Sequence, residues 1–164
     1  MARPRTLPDS EVFAAILRIL AAEGEKAVVF AAVARATGLA GASLVQRYGS
    51  APAMLEAALA WGWDRLDAMT EEAAGQADGK GAQGYLKALG ERLSAVPVLP
   101  LLTASQRSAA LRERAEGWRA RVEAVLAARM QDRDRAAILF AAWQGQVLWG
   151  GGGFRLKDAV KRLG

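Results

Sequence analysis

Ser43, Gln46 and Arg47 stand close together in the stretch "ATGLAGASLVQRYGS" at residues 36–50. If that stretch is helical, Leu44 and Tyr48 share a buried face at i and i+4. Ser43, Gln46 and Arg47 then turn outward, with Ala40 and Gly41 at the helix start. Gln pairs with adenine and Arg with guanine across a major groove, so the chemistry on offer is base reading. Covalent chemistry is poorly provided for. The chain contains no cysteine and no histidine, which excludes thiol nucleophiles, disulfides, histidine metal ligands and histidine acid/base pairs. "GGGGFRLK" at 150–157 lacks the GxxxxGK[ST] order of a phosphate loop. Asp132 and Asp134 read more simply as a helix start than as a catalytic dyad. "RERAEGWRAR" at 112–121 and "RMQDRDR" at 129–135 read as solvated helix faces with ordinary ion pairs. No enzymatic activity, cofactor or metal is expected.

The elements that would hold those side chains are helices. A chain of 164 residues, 52% hydrophobic and 24% charged, suffices for one good core. Its net charge of +5 suits an acidic partner such as DNA, although the excess is modest for the length. After Pro8, with Asp9 or Ser10 as cap, apolar residues from Val12 to Leu20 recur at three- and four-residue steps and stop near Gly24. A second helix is expected over Phe30–Thr37, ending at Gly38, and a third over about Gly41–Tyr48. Pro52 suits the first turn of a longer helix carrying Leu55, Leu59, Leu66 and Met69 on one face. "AAGQADGKGAQG" at 73–84 reads as a loop. Further helices are expected around Tyr85–Ala95, over a long pattern from Thr103 to Met130, from Asp132 or Asp134 to Trp149, and over a short basic tail from Phe154 to Leu163. Pro97 and Pro100 mark a turn. No strand-type alternation is long enough for a sheet, so the expected fold is all-α. Apolar runs fall short of the roughly 20 residues of a membrane span, and residues 1–10 show no signal-peptide core. A cytoplasmic protein is the expectation.

A helix-turn-helix needs a small residue in its first helix, a glycine at the turn and an apolar anchor in its second helix. Ala34, Gly38 and Leu44 fill those roles, though the same spacing also suits an ordinary helical hairpin. From about Val12 to Leu59 the chain resembles the DNA-binding domain of the TetR family of transcriptional repressors. "AAEG" at 21–24 corresponds to the family's "AEKG", and "VFAAVARATGLA" at 29–40 to "TVRDIAERAGVS". "GASLVQRYGSAPAML" at 41–55 corresponds to "KGTLYHHFPSKEALL", with no gap across both helices.

The resemblance implies a DNA-binding domain over residues 1–53, with its helix-turn-helix at about 29–48, and a regulatory and dimerisation domain over 54–164. It further implies that Ala40, Gly41, Ser43, Val45, Gln46 and Arg47 face DNA. Val29, Val45 and Ala51 stand where the family commonly has threonine, tyrosine and lysine, which usually touch phosphates. The remaining candidates for backbone or minor-groove contact are Ser50 and the arm residues Arg3 and Arg5.

Members of the family are homodimers whose last two long helices pack against their copies. "AAILFAAWQGQVLWG" at 136–150 looks like the final one, with Ala137, Ala141, Gly145 and Leu148 small or apolar at helical spacing. The implied partners are a palindromic double-stranded DNA operator and a small hydrophobic effector that releases it. The pool for an effector pocket is Trp61, Trp63, Met69, Tyr85, Trp118, Met130, Phe140 and Trp143, most of which also fit a plain apolar core. Trp61 and Trp63 cannot face the same way on one helix. The rival reading is a TetR-like lipid- or small-molecule-binding protein without DNA, of the ubiquinone-biosynthesis accessory type, whose basic tail touches membranes.

Overall fold

In the computed structural model the described residues are 7–94, 96–149 and 156–163, and they are helical almost throughout, with no strand among them. The helices are α1 Asp9–Glu23, α2 Phe30–Thr37, α3 Gly41–Tyr48, α4 Ala51–Gln76, α5 Gly81–Leu93, α6 Val98–Ser105, α7 Ala109–Met130, α8 Arg133–Trp149 and α9 Leu156–Leu163. A single 3-10 turn, Glu25–Ala27, separates α1 from α2. Contacts divide the chain into two compact units, one running to Arg65 and including Val96–Arg112, the other comprising Leu66–Ala95 and the chain from Glu113 onward.

In the first unit α2 packs on α1 and α3, and α6 packs on α1. Val12, Ile16, Val33, Leu44, Met54, Ala58, Trp63 and Leu101 are fully buried there. The Trp63 indole is accommodated because its Nε1–H donates to Ser105 Oγ at 2.9 Å, while the Ser105 hydroxyl donates to the Leu101 carbonyl. At Gly62 a Cβ would stand 3.0 Å from Leu101 Cδ1 and 3.2 Å from Leu17 Cδ1. The close approach of these leucines thus requires the missing side chain.

The second unit is built on aromatic packing. Phe140 meets Trp118 edge-on and Trp143 face-on, each at 5.8 Å between ring centroids. Trp118 Nε1–H donates to Thr70 Oγ1 at 2.8 Å, and the Thr70 hydroxyl donates to the Leu66 carbonyl, so this buried polar chain is satisfied. Helix α9 packs on α8 and α5. Ala136, Leu139, Phe140 and Trp143 form the inner face of α8. Its outer face shows Ile138, Ala141 and Leu148, at steps of three and seven residues, and Trp149.

Several element boundaries differ from expectation. Pro8, not Asp9 or Ser10, is the N-cap of α1. The expected loop at 73–84 shrinks to residues 77–80, because burial of Ala73 and Ala77 carries α4 on to Gln76 and α5 already begins at Gly81. The glycines of that stretch act only at its end, where Gly79 and Gly81 take φ of 72° and 67°. The pattern from Thr103 to Met130 is two helices, broken at 106–108, where Ser108 Oγ accepts the Leu111 N–H. Asp132 does cap α8, accepting the Arg135 N–H at 3.0 Å. Phe154 lies outside the described residues. Among the described residues no helix is long and apolar enough to cross a membrane.

Candidate nucleic-acid interface

Helices α2 and α3 coincide with the spans expected for a helix-turn-helix. The turn works because Gly38 sits in the left-handed region, φ 73° and ψ 10°, and its N–H closes on the Ala34 carbonyl at 2.8 Å. Thr37 reinforces it, donating through Oγ1 to the Val33 carbonyl at 2.7 Å and accepting the Leu39 N–H at 3.4 Å. Leu44 is completely buried and anchors α3. Tyr48 is only half-buried, its ring 5.8 Å from that of Phe13 and its O–H donating to Asp9 Oδ1 at 2.5 Å. Burial, then the hydrogen bond to Asp9, push the phenol up to about 12, with Arg47 opposing.

The outward surface of α3 is graded. At about 100° per residue, Gln46 lies about 180° from the middle of the face defined by Leu44 and Tyr48, whereas Val45 and Arg47 lie on its shoulders at about 80°. Ala40, Ala42, Ser43, Val45 and Gln46 are exposed, Val45 at 46%, and Gly41 is half-exposed. Arg47 leans toward the start of α1, where Nη1 donates to the Leu7 carbonyl at 3.1 Å and pairs with Asp9 Oδ1 at 3.3 Å. Its guanidinium also lies 6.0 Å from the centroid of its neighbour's ring, that of Tyr48. Ser50 Oγ accepts the Ala53 N–H and so caps α4. Val29, the N-cap of α2, is 45% exposed and supplies no side-chain cap. Arg3 and Arg5 lie outside the described residues. Sequence reasoning missed Asp9, Leu7 and Ala42. Only the shoulder position of Arg47 in the helical projection could have signalled its tie to another helix.

No family model matches the chain, and no curated protein matches it. Solved structures do. A member of the TetR family from Streptomyces coelicolor A3 aligns at 23% identity over 96% of this chain and 96% of that one, with a TM-score of 0.70. The chain therefore has the TetR-family fold. The multidrug binding protein EbrR, complexed with imidazole, is similar at 23% identity and TM-score 0.66, covering 97% of this chain and 94% of that one. The ketosteroid transcriptional regulator KstR2 of Mycobacterium tuberculosis is similar at 16% identity and TM-score 0.60, covering 99% and 95%.

In this TetR fold the aromatic pool named for an effector is divided. Trp61 and Trp63 belong to the first unit. Trp63 is buried in its hydrogen bond to Ser105, while half-buried Trp61 packs 6.1 Å from Phe13 with the Arg65 guanidinium 5.9 Å from its ring. Met69, Tyr85, Trp118, Phe140 and Trp143 are buried in the second unit, and Met130 is half-buried there. The Tyr85 hydroxyl stands apart, since it is buried without a hydrogen-bond partner. Burial pushes this phenol up to about 12, against the opposing pull of Arg129, whose guanidinium lies 5.0 Å from the ring centroid. A groove of about 620 Å³ opens elsewhere, at the junction of α7 and α8, lined by Ala120, Ala124, Ala127 and Ala128 with Glu123, Gln131, Asp132 and Arg133.

Proposed function

We propose that the chain is a DNA-binding transcriptional regulator, a homodimer that grips a palindromic operator and is released by a small hydrophobic effector. The observation that carries this reading is the α2–α3 pair. Its left-handed glycine turn and buried Leu44 hold out a short helix whose exposed face presents Ser43, Val45 and Gln46. Of the described members of the proposed DNA face, Ala40, Ser43, Val45, Gln46, Arg47 and Ser50 are exposed and Gly41 is half-exposed, with Arg47 tied to Leu7 and Asp9, and the Ser50 hydroxyl can donate to a phosphate.

Dimerisation is supported by the outer faces of α7 and α8. Exposed Ala120, Ala124 and Ala128 permit close approach on α7, and exposed Ile138, Ala141 and Leu148 offer apolar area on α8. Two copies place two recognition helices roughly 34 Å apart, which is what successive major grooves require. An apolar effector suits the second unit, where the Tyr85 hydroxyl is the one buried side-chain polar atom without a partner among the described residues. It also suits the similar structures named as a multidrug binding protein and a ketosteroid regulator. Release is then a population shift, in which the ligand favours a dimer with misplaced recognition helices.

The test is selection of bound sequences from a random duplex pool with the purified full chain, followed by a salt titration. Enrichment of a palindrome, with affinity falling as salt rises, supports the reading. Failure to enrich any palindrome at low salt overturns it. Co-sedimentation with liposomes, lost on deleting residues 154–164, would favour the lipid-binding alternative instead.

A further inference from the structure

Resting on the DNA-binding reading above, we infer that Asp9 is a specificity-determining residue. It withdraws Arg47 from the bases, so that α3 reads its half-site through Gln46 and Val45 as an adenine next to a thymine methyl, without a guanine contact from Arg47.

An exposed ion pair by itself holds an arginine weakly. This one is reinforced because its acceptors are already fixed. Leu7 is buried, which pins the carbonyl that accepts from Arg47 Nη1 at 3.1 Å. Pro8 follows as the N-cap of α1 with φ of −65°, and its ring allows little else. The Asp9 carboxylate is held in turn by the Tyr48 O–H at 2.5 Å. The acceptors lose little conformational freedom when Arg47 joins them, and its guanidinium gains a carbonyl and a carboxylate at once, against the rotamer freedom the arginine itself gives up. To pair with guanine it would have to leave both, and the Asp9 carboxylate would keep only the Tyr48 O–H.

What stays available on α3 is different in kind. Gln46 sits at the apex of the outward face, the position from which a side-chain amide reaches the N6 and N7 of adenine. Val45, 46% exposed, and exposed Ala42 present methyl groups with no polar atom, which suit the thymine C5 methyl. The surface that has Val29, Val45 and Ala51 at positions where the family has polar phosphate contacts thus carries a reading preference of its own, toward A·T pairs.

The experiment repeats the duplex selection with wild type, Arg47→Ala, Asp9→Asn and the Asp9→Asn/Arg47→Ala double variant, all as full chains checked for helicity. Wild type is expected to enrich palindromes with A·T pairs at the positions read by α3, and Arg47→Ala to leave that preference intact. Asp9→Asn is expected to add a guanine preference of about 10-fold at one position per half-site, absent again in the double variant. Wild-type palindromes carrying a guanine that Arg47→Ala erases would overturn the inference while leaving the DNA-binding reading standing. No palindrome with any of the four proteins would overturn both. If Asp9→Asn does not fold, Asp9→Ala and Asp9→Ala/Arg47→Ala take its place, and no added guanine preference on changing Asp9 overturns the inference.

Discussion

Two tyrosines with the same pushed-up phenol occupy opposite circumstances in the two units. Tyr48, at the end of α3, is half-exposed, yet its hydroxyl has a partner in Asp9 and its ring has one in Phe13. Tyr85, in α5, is completely buried and its hydroxyl has none. In the first unit the phenol hydroxyl ties the end of α3 to the start of α1. In the second unit the polar atoms of Trp118 and Thr70 are satisfied within the core, and Tyr85 is left over. A buried unpaired hydroxyl is destabilising by roughly 1–3 kcal/mol. The difference teaches that a phenol near the surface can tie two helices together while one deep in an aromatic core is left without a partner.

Breaking the first side of that comparison gives the largest effect. Leu44→Ala removes the buried anchor of α3 and is expected to lower stability by about 2–5 kcal/mol, read as a fall in the urea midpoint. Tyr48→Phe keeps the ring against Phe13 but loses the hydrogen bond to Asp9. A loss of about 0.5–1.5 kcal/mol is expected in the same measurement, and an unchanged midpoint would mean that the strut is idle. Tyr85→Phe sharpens the contrast by going the other way. With no partner to lose, the variant should be unchanged or more stable by up to about 1 kcal/mol, and a clear destabilisation would show that the hydroxyl is not left over.

A separate effect appears in alkaline solution. Both phenols are raised from 10.0 to about 12 in the folded chain. The folded state therefore holds these protons more tightly than the unfolded chain. Their stabilising contribution is complete below the unfolded value and is lost as pH rises toward the folded one. Urea midpoints of wild type should fall through that window. Each phenylalanine variant should fall less steeply, because it lacks one of the two raised phenols.

Much of the fold was readable from local pattern. The bounds of α2 and α3 follow from Gly38 and from the spacing of Val33, Leu44 and Tyr48, all of which act within a turn or two of their own position. The segment at 73–84 was not readable in this way. Its glycines suggest a loop, but Ala73 and Ala77 are buried, and that burial is decided by residues distant in sequence. The break at 106–108 was hidden for the complementary reason, since helical periodicity runs on through it and only the Ser108 cap marks the change.

By itself the sequence determined the all-helical architecture, the left-handed turn at Gly38, the anchor at Leu44 and the outward position of Gln46. Each depends on backbone preference or helical periodicity, which act over a few residues. Tertiary structure alone decided where Arg47 and Tyr48 point, how the tryptophans are shared between the units, and which hydroxyl goes unpaired. Arg47 meets an acceptor forty residues away at Leu7 and Trp63 meets one forty-two residues away at Ser105. No spacing rule reaches that far, because such pairs form only after the helices that carry them have packed.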